Sequence, residues 1–342
     1  MAMARKEIVN DYEVGTYHCI SRCVRRAFLC GFDKFLNKSF EHRKTWIENR
    51  IKHLTKVFDI DIGSYAIMSN HLHIILKNRP DKTKLLSDED VLNRWNLLYP
   101  KYFDQNGKLT KIPEDKLKLL LLNKKRINVL RNRLFSISWF MKSLSEHIAR
   151  KANFEDKCKG RFWEGRFKCQ ALLGEAAKLT SMAYVELNTI RAGLNEKLED
   201  SKHTSIARRL KIYKFNMLKK ELDEKETKKL NKYKKSLDNF LAPIELGNKE
   251  SFINMDFKEY VNLVEWTGMA IKKGKKGHIP IELEPVLKRF EIEKKKWING
   301  IKNYDNIFYR VIGKVEDILE YAIKRNKKWF WGFNKLKNEL LL

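Results

Sequence analysis

The chain has 342 residues, 43% of them hydrophobic, with 71 lysines and arginines against 43 acidic residues and a net charge of +28. That length suits two domains, or one domain with a large insertion, and excludes a small stapled scaffold; the charge on a foldable composition points to a polyanionic partner, nucleic acid above all, although lysine-rich usage also follows genome composition. Cys19, Cys23, Cys30, Cys158 and Cys169 contain no Cys-x-x-Cys pair and read as free thiols in a reducing cytoplasm, and no signal core or stretch of membrane-spanning length directs export or insertion.

In chain order, Thr16 to Cys23 alternates, with Tyr17, Cys19 and Cys23 on one side and His18, Ile20 and Arg22 on the other, which predicts a strand. A basic loop with Arg25 and Arg26 follows. Ser39 is a candidate N-cap for a helix running to Phe58 through Ile47, Ile51 and Leu54. Ile60 to Met68 and Leu72 to Lys77 read as two strands of a hairpin, with Ser69-Asn70 as its turn.

From Arg79 to about Arg133 the chain is lysine-rich and broken by Pro80, Pro100, Gly107 and Pro113, as expected of an insertion. Helical spacing returns at Ile137, Phe140, Leu144 and Ile148, and Gly160 to Leu172 includes another alternating strand, Phe167, Cys169 and Ala171 facing inward and Arg166, Lys168 and Gln170 outward. Glu175 to Ala192 carries an apolar helical stripe that Gly193 ends. The order strand, helix, strand, strand, helix, strand, helix predicts an α+β, ferredoxin-like (RRM-like) antiparallel sheet. The expected organisation is a domain over residues 1–199 with the insertion at about 79–133, a charged helical connector over 200–240, and a mostly α-helical domain over 241–342.

Residues two apart on a strand share a face, so His71 and His73 point to one place above the sheet. Two imidazoles so placed suit a divalent ion with open positions for water or a phosphate oxygen, but a His-x-His pattern is also common where histidines are simply hydrogen-bonded. Tyr184 and Asn188 lie four apart on the last helix and share its face. A phenol, with its ordinary pKa near 10, attacks at neutral pH only beside a polarised phosphate, which a metal on the two histidines would supply; a tyrosine there is otherwise one half-buried against the sheet.

Three motifs in this order carry a resemblance: Tyr65-Ala66-Ile67-Met68-Ser69-Asn70-His71-Leu72-His73, then Gly160-Arg161-Phe162-Trp163-Glu164-Gly165-Arg166-Phe167, then Tyr184-Val185-Glu186-Leu187-Asn188-Thr189-Ile190-Arg191-Ala192-Gly193. With Tyr17 to Arg22 as a first strand, residues 12 to 195 resemble the REP-associated tyrosine transposases, single-tyrosine members of the HUH endonuclease superfamily. Thr189 stands where that family often has proline, and Tyr260 to Gly268 looks like the C-terminal extension of its larger bacterial members.

The resemblance implies Tyr184 as nucleophile, His71, His73 and Asn188 as metal ligands, and Mg2+ or Mn2+ as the metal, with zinc the chemical alternative for so soft a donor set. It implies attack on single-stranded or hairpin DNA, giving a 5′-phosphotyrosine and a free 3′-hydroxyl, with no nucleotide cofactor. The resemblance also implies a monomer or homodimer, and the free thiols and the lack of a spanning stretch lead to the expectation of a cytoplasmic, nucleoid-associated protein with no membrane partner. Candidate DNA contacts are Arg22, Arg25, Arg26, Arg161, Arg166 and Lys168, with Phe162 and Trp163 either stacking bases or packing the core. A second candidate cluster is Lys272, Lys273, Lys275 and Lys276, in a glycine-bearing loop that either grips phosphate or is simply solvated. The competing class of function is a domesticated protein that grips DNA hairpins without cutting them. An RNA-binding module on such a sheet also fits the charge, but leaves the histidine pair and the Tyr-x-x-x-Asn pair unexplained.

Overall fold

A computed structural model describes residues 5–24, 30–33, 37–221, 239–271, 283–328 and 330. Strand β1 (Gly15–Arg22) pairs antiparallel with β5 (His71–Asn78) on one side and with β6 (Lys168–Leu172) on the other. Two two-residue strands, β2 (Phe32–Asp33) and β3 (Lys38–Ser39), pair with each other, and β4 (Ile60–Ile67) forms the expected hairpin with β5. A seventh strand, β7 (Val311–Ile312), runs parallel to β6. The result is a mixed α+β fold on a five-stranded, mostly antiparallel sheet of order β4-β5-β1-β6-β7.

Both faces of the sheet are covered, so β1 and β5 are buried almost throughout rather than on alternate residues. Tyr65 stands opposite Ile74 and its hydroxyl donates to Glu48 of helix α1 (His42–Leu54) at 2.6 Å, which sets α1 on the face away from the histidines. In chain order, helices α2 (Pro80–Thr83), α3 (Asp88–Leu98), α4 (Glu114–Leu121) and α5 (Lys124–Leu134) occupy the expected insertion. Ser87 and Asp90 close a capping box on α3, and Asn123 caps α5. Helix α6 (Ile137–Glu155) packs along α1, and its Phe140 meets Phe58, just beyond the end of α1, edge to face at 5.7 Å.

The other face is covered by helix α7 (Gly174–Glu186) and, after a break at Leu187 (φ −85°, ψ 0°), the single turn α8 (Asn188–Arg191). Gly193 follows at φ +69°, the left-handed conformation that ends a helix at least cost to glycine. Helix α9 (Ser205–Glu221) seals the β4 edge: Thr204 bridges Ala66, and Ile67 N–H donates to His203 O.

Two expectations shift. The helix expected from Ser39 starts at His42, because Ser39 pairs with Phe32 as a strand residue; its Oγ accepts only from Glu41 N–H at 3.4 Å. The strand expected in Gly160–Leu172 is regular only over Lys168–Leu172, the segment before it holding β1 through a single Cys23–Trp163 bridge. Residues 241–342, expected to be mostly α-helical, contain among the described residues α10 (Phe257–Ile271), α11 (Glu284–Arg289), α12 (Lys294–Lys302), α13 (Tyr304–Ile307) and α14 (Val315–Ile323), and they also supply the two-residue β7 to the sheet and share one buried apolar core with it.

Gly63 interrupts the β4–β5 register at a bulge, and a Cβ there would stand 2.3 Å from the ring of Phe252, itself 1% exposed. Gly63→Ala is therefore expected to lower unfolding stability by about 1–3 kcal/mol through overpacking. Urea denaturation reads this, and a variant with the wild-type midpoint would show that the Phe252 ring moves aside freely.

Candidate active site

The β1–β5 register pairs Ile20 with His73 and Arg22 with His71, and β1–β6 pairs His18 with Gln170 and Ile20 with Lys168. Directly opposed residues of an antiparallel pair share a face. One face of the sheet therefore carries His18, Arg22, His71, His73, Lys168 and Gln170, and α7 lies across it. A cavity of about 1020 Å³ opens there, lined among others by His71, His73, Tyr184, Asn188, Arg191 and Asp305.

The rings make a close cluster. His73 stands edge to face with His71 at 4.9 Å between centroids and with Tyr184 at 5.6 Å. Hydrogen bonds inside the protein occupy one nitrogen of each candidate ligand. His71 Nδ1 meets Asn70 Oδ1 at 2.6 Å, and His73 Nδ1 meets His18 Nε2 at 2.9 Å. His18 Nδ1 is 2.7 Å from Gln170 Oε1, while Gln170 Nε2 donates to the Phe308 carbonyl at 2.9 Å.

That carbonyl can only accept, so the amide nitrogen of Gln170 faces it and Oε1 faces His18. His18 Nδ1 must then carry the proton. In a neutral chain His18 Nε2 accepts from His73 Nδ1–H, and the lone pair of His73 lies on Nε2. Burial favours the neutral forms: it depresses His18 to about 4, His71 below its ordinary value with Arg22 adding to the effect, and His73 further with His18 and His71 beside it.

Among the described residues no three histidine, cysteine or carboxylate side chains are grouped as a metal cage. The donor set here is two Nε2 lone pairs plus the amide oxygen of Asn188, whose Nδ2 donates to Tyr184 O at 3.2 Å. That chemistry suits a borderline divalent ion with open coordination positions.

Tyr184 is 2% exposed. Its ring stacks on Tyr304 at 3.9 Å, the Arg191 guanidinium lies 4.5 Å above its centroid, and its hydroxyl donates to Asp305 Oδ2 at 2.8 Å. Burial raises the phenol above its ordinary value, the Asp305 carboxylate adds to that, and Arg191 opposes it.

Arg22, Arg166 and Lys168 line the same cavity, joined by Arg310. Arg161 is exposed but does not line it. Phe162 is buried, and Trp163 donates its Nε1–H to Ser145 O at 2.7 Å, so both pack within the protein. Arg25, Arg26, Lys272, Lys273, Lys275 and Lys276 lie outside the described residues.

Sequence reasoning left His18, Gln170, Arg191, Tyr304 and Asp305 unassigned. The alternation had put His18 with Arg22 and Gln170 with Lys168, so the strand pairing alone was lacking. Arg191 lies two helical turns beyond Tyr184, where a face count would find it. Asp305 is 121 residues from Tyr184 with no local signal.

Two residues past Tyr184, Glu186 is fully buried and anchors the helix from behind: it accepts from Ser205 Oγ at 2.8 Å, from Ile206 N–H at 2.9 Å and from Tyr260 Oη at 3.4 Å. A carboxylate at the first turn of α9 is favourably placed against the helix dipole, but burial still lifts it to about 7.

No protein-family model and no curated protein matches the chain. One solved structure, a REP-associated tyrosine transposase bound to a REP hairpin, is similar over 61% of this chain and 84% of that one, at 10% identity and a TM-score of 0.35, too slight a likeness to build on.

The folded Glu186 carboxyl holds its proton more tightly than the unfolded one, so its contribution is complete below the unfolded value and is lost as pH rises through about 7. Relative to Glu186→Gln, the wild type should therefore lose about 2 kcal/mol of stability between pH 5.5 and pH 8. Urea denaturation of both proteins at the two pH values measures it; a constant gap would mean that the carboxyl does not titrate on unfolding.

Proposed function

We propose that the chain is a metal-dependent single-stranded DNA endonuclease and strand transferase, a transposase of the HUH single-tyrosine type acting on hairpin or repeat DNA. The observation that carries this reading is the meeting of His71, His73, Tyr184 and Asn188 at one cavity, with the Tyr184 ring 5.6 Å from that of His73. The strand order supports it: β6-β1-β5-β4, with α1 and α6 together against one face, is the order of a ferredoxin-like sheet, here extended by β7.

In this reading Arg22, Arg166, Lys168 and Arg310 hold the phosphates of an unpaired strand along the cavity. His71 and His73 through Nε2, and Asn188 through Oδ1, would hold Mg2+ or Mn2+, which when bound polarises the scissile phosphate. Tyr184 Oη forms the new bond to phosphorus, the P–O3′ bond breaks, and the strand is left with a free 3′-hydroxyl. Exchange of a phosphodiester for a phosphotyrosine keeps the bond energy, so a 3′-hydroxyl from the same or another strand reverses the step.

Incubation of the protein with end-labelled single-stranded hairpin DNA and Mn2+ is expected to give a covalent adduct resistant to denaturing electrophoresis, and Tyr184→Phe is expected to abolish it. An undiminished adduct in that variant would move the nucleophile elsewhere. Tight binding without an adduct in the wild type, across several metals, would favour the non-cleaving hairpin-binding protein.

A further inference from the structure

The C-terminal residues reach the nucleophile directly. Tyr304 stacks on the Tyr184 ring at 3.9 Å and shares a hydrogen bond of 2.8 Å with Ser181, one turn earlier on α7. Asp305, the next residue, places Oδ2 2.8 Å from the Tyr184 hydroxyl, and Arg191 on the far side of the break at Leu187 donates to Lys302 O at 3.3 Å. The phenol is thus held in place, and the atom that takes its hydrogen bond is a carboxylate oxygen. Asp305 is itself exposed and lines the cavity, so its side chain meets both the phenol and solvent.

We infer that Asp305 is the general base of this site, the catalytic residue that takes the Tyr184 proton as the phenol attacks. The inference rests on the phosphotyrosine reading above and adds to it a residue from outside the span of the three motifs. As Tyr184 Oη bonds to phosphorus, the phenolic proton passes to Asp305 Oδ2; the P–O3′ bond breaks with its electron pair on O3′, and the new carboxylic acid returns the proton through cavity solvent to that oxygen. In reversal Asp305 donates to the departing phenolate.

Because the buried phenol is not ionised beforehand, the proton must leave in concert with attack, where a positioned base is worth about 10²–10⁴-fold in rate. A merely structural Asp305 would hold the ring in place and leave that proton to water.

The charged and titratable groups facing Asp305 are Tyr184 on α7, Arg191 on α8, Tyr304 beside it, and His18 and His71 from the sheet. Glu164 also lines the cavity, but among the described residues the carboxylate hydrogen-bonded to the Tyr184 hydroxyl is that of Asp305.

The test uses the full-length chain, MnCl2 and a labelled single-stranded hairpin library with randomised flanks, comparing wild type, Asp305→Asn and Asp305→Glu for adduct rate and DNA affinity across pH. The expected result is an adduct rate about 10²-fold lower at pH 7 in Asp305→Asn with DNA affinity within twofold of wild type. The deficit should shrink as pH rises and hydroxide replaces the base, and Asp305→Glu should recover part of the rate. An Asp305→Asn rate within twofold of wild type at pH 7, or a deficit independent of pH, would overturn the inference while leaving the phosphotyrosine reading intact.

Should Asp305→Asn fail to fold, the wild-type profile alone decides: a rate level through neutral pH supports a protein base, and a rate tenfold higher per pH unit from 6 to 9 overturns it. A wild type that forms no adduct with any member of the library overturns both readings together.

Discussion

The antiparallel pairing of β1 with β5, residue for residue from Gly15 opposite Asn78 to Arg22 opposite His71, is the constraint on which the rest of the site depends. Side chains alternate along a strand, so a slip of one residue would turn His71 and His73 toward α1 and send Leu72 and Ile74 into the cavity. Burial of both faces makes that slip costly, since Cys19, Ile74 and Leu76 are fully enclosed. The same register brings His18 beside His73, and so determines which nitrogen of His73 is left with a lone pair.

The helix across that face is held by a buried polar network behind it. Glu186 ties the end of α7 to the start of α9 and to Tyr260 of α10, while Ser205 Oγ also takes the Tyr65 N–H at 2.7 Å, fixing helix and edge strand to one another. Arg209, buried nearby, donates through Nη2 to Gly63 O and Ala242 O at 2.8 Å, while its Nε has no hydrogen-bond partner among the described residues. The piece from Tyr260 to Gly268 belongs to this support: Thr267 accepts from Trp297 Nε1–H at 2.8 Å, and a Cβ on Gly268 would stand 3.0 Å from Leu187 at the helix break. The Glu186 hydrogen bonds within this network tie the position of Tyr184 to residues far from it in sequence.

Local periodicity made much of this legible. The alternation around His18, His71 and Lys168, the hairpin at Ser69-Asn70 and the stop at Gly193 all follow from short-range chemistry, and so does the sharing of a helix face by Tyr184 and Asn188. What sequence could not supply is pairing between distant segments. The strand at Val311-Ile312 is two residues long and has no pattern of its own, existing because β6 offers an open edge. Nothing local marks Asp305, because its significance comes from folding onto a helix more than a hundred residues earlier. Ser39 misled for the opposite reason: a good capping residue is only a candidate, and here a strand partner took its backbone first.

The placement of β7 and of the Tyr304-Asp305 pair has a consequence for timing. The histidine strand and the tyrosine helix both leave the ribosome well before residues 304–312 are made, yet the tyrosine acquires its stacking partner and its hydrogen-bond acceptor only when that stretch folds back along β6. The site therefore cannot be complete on a chain still being translated through this region. A basic nascent chain beside its own messenger thus carries the phenol without its stacking partner and acceptor until synthesis has passed the last strand.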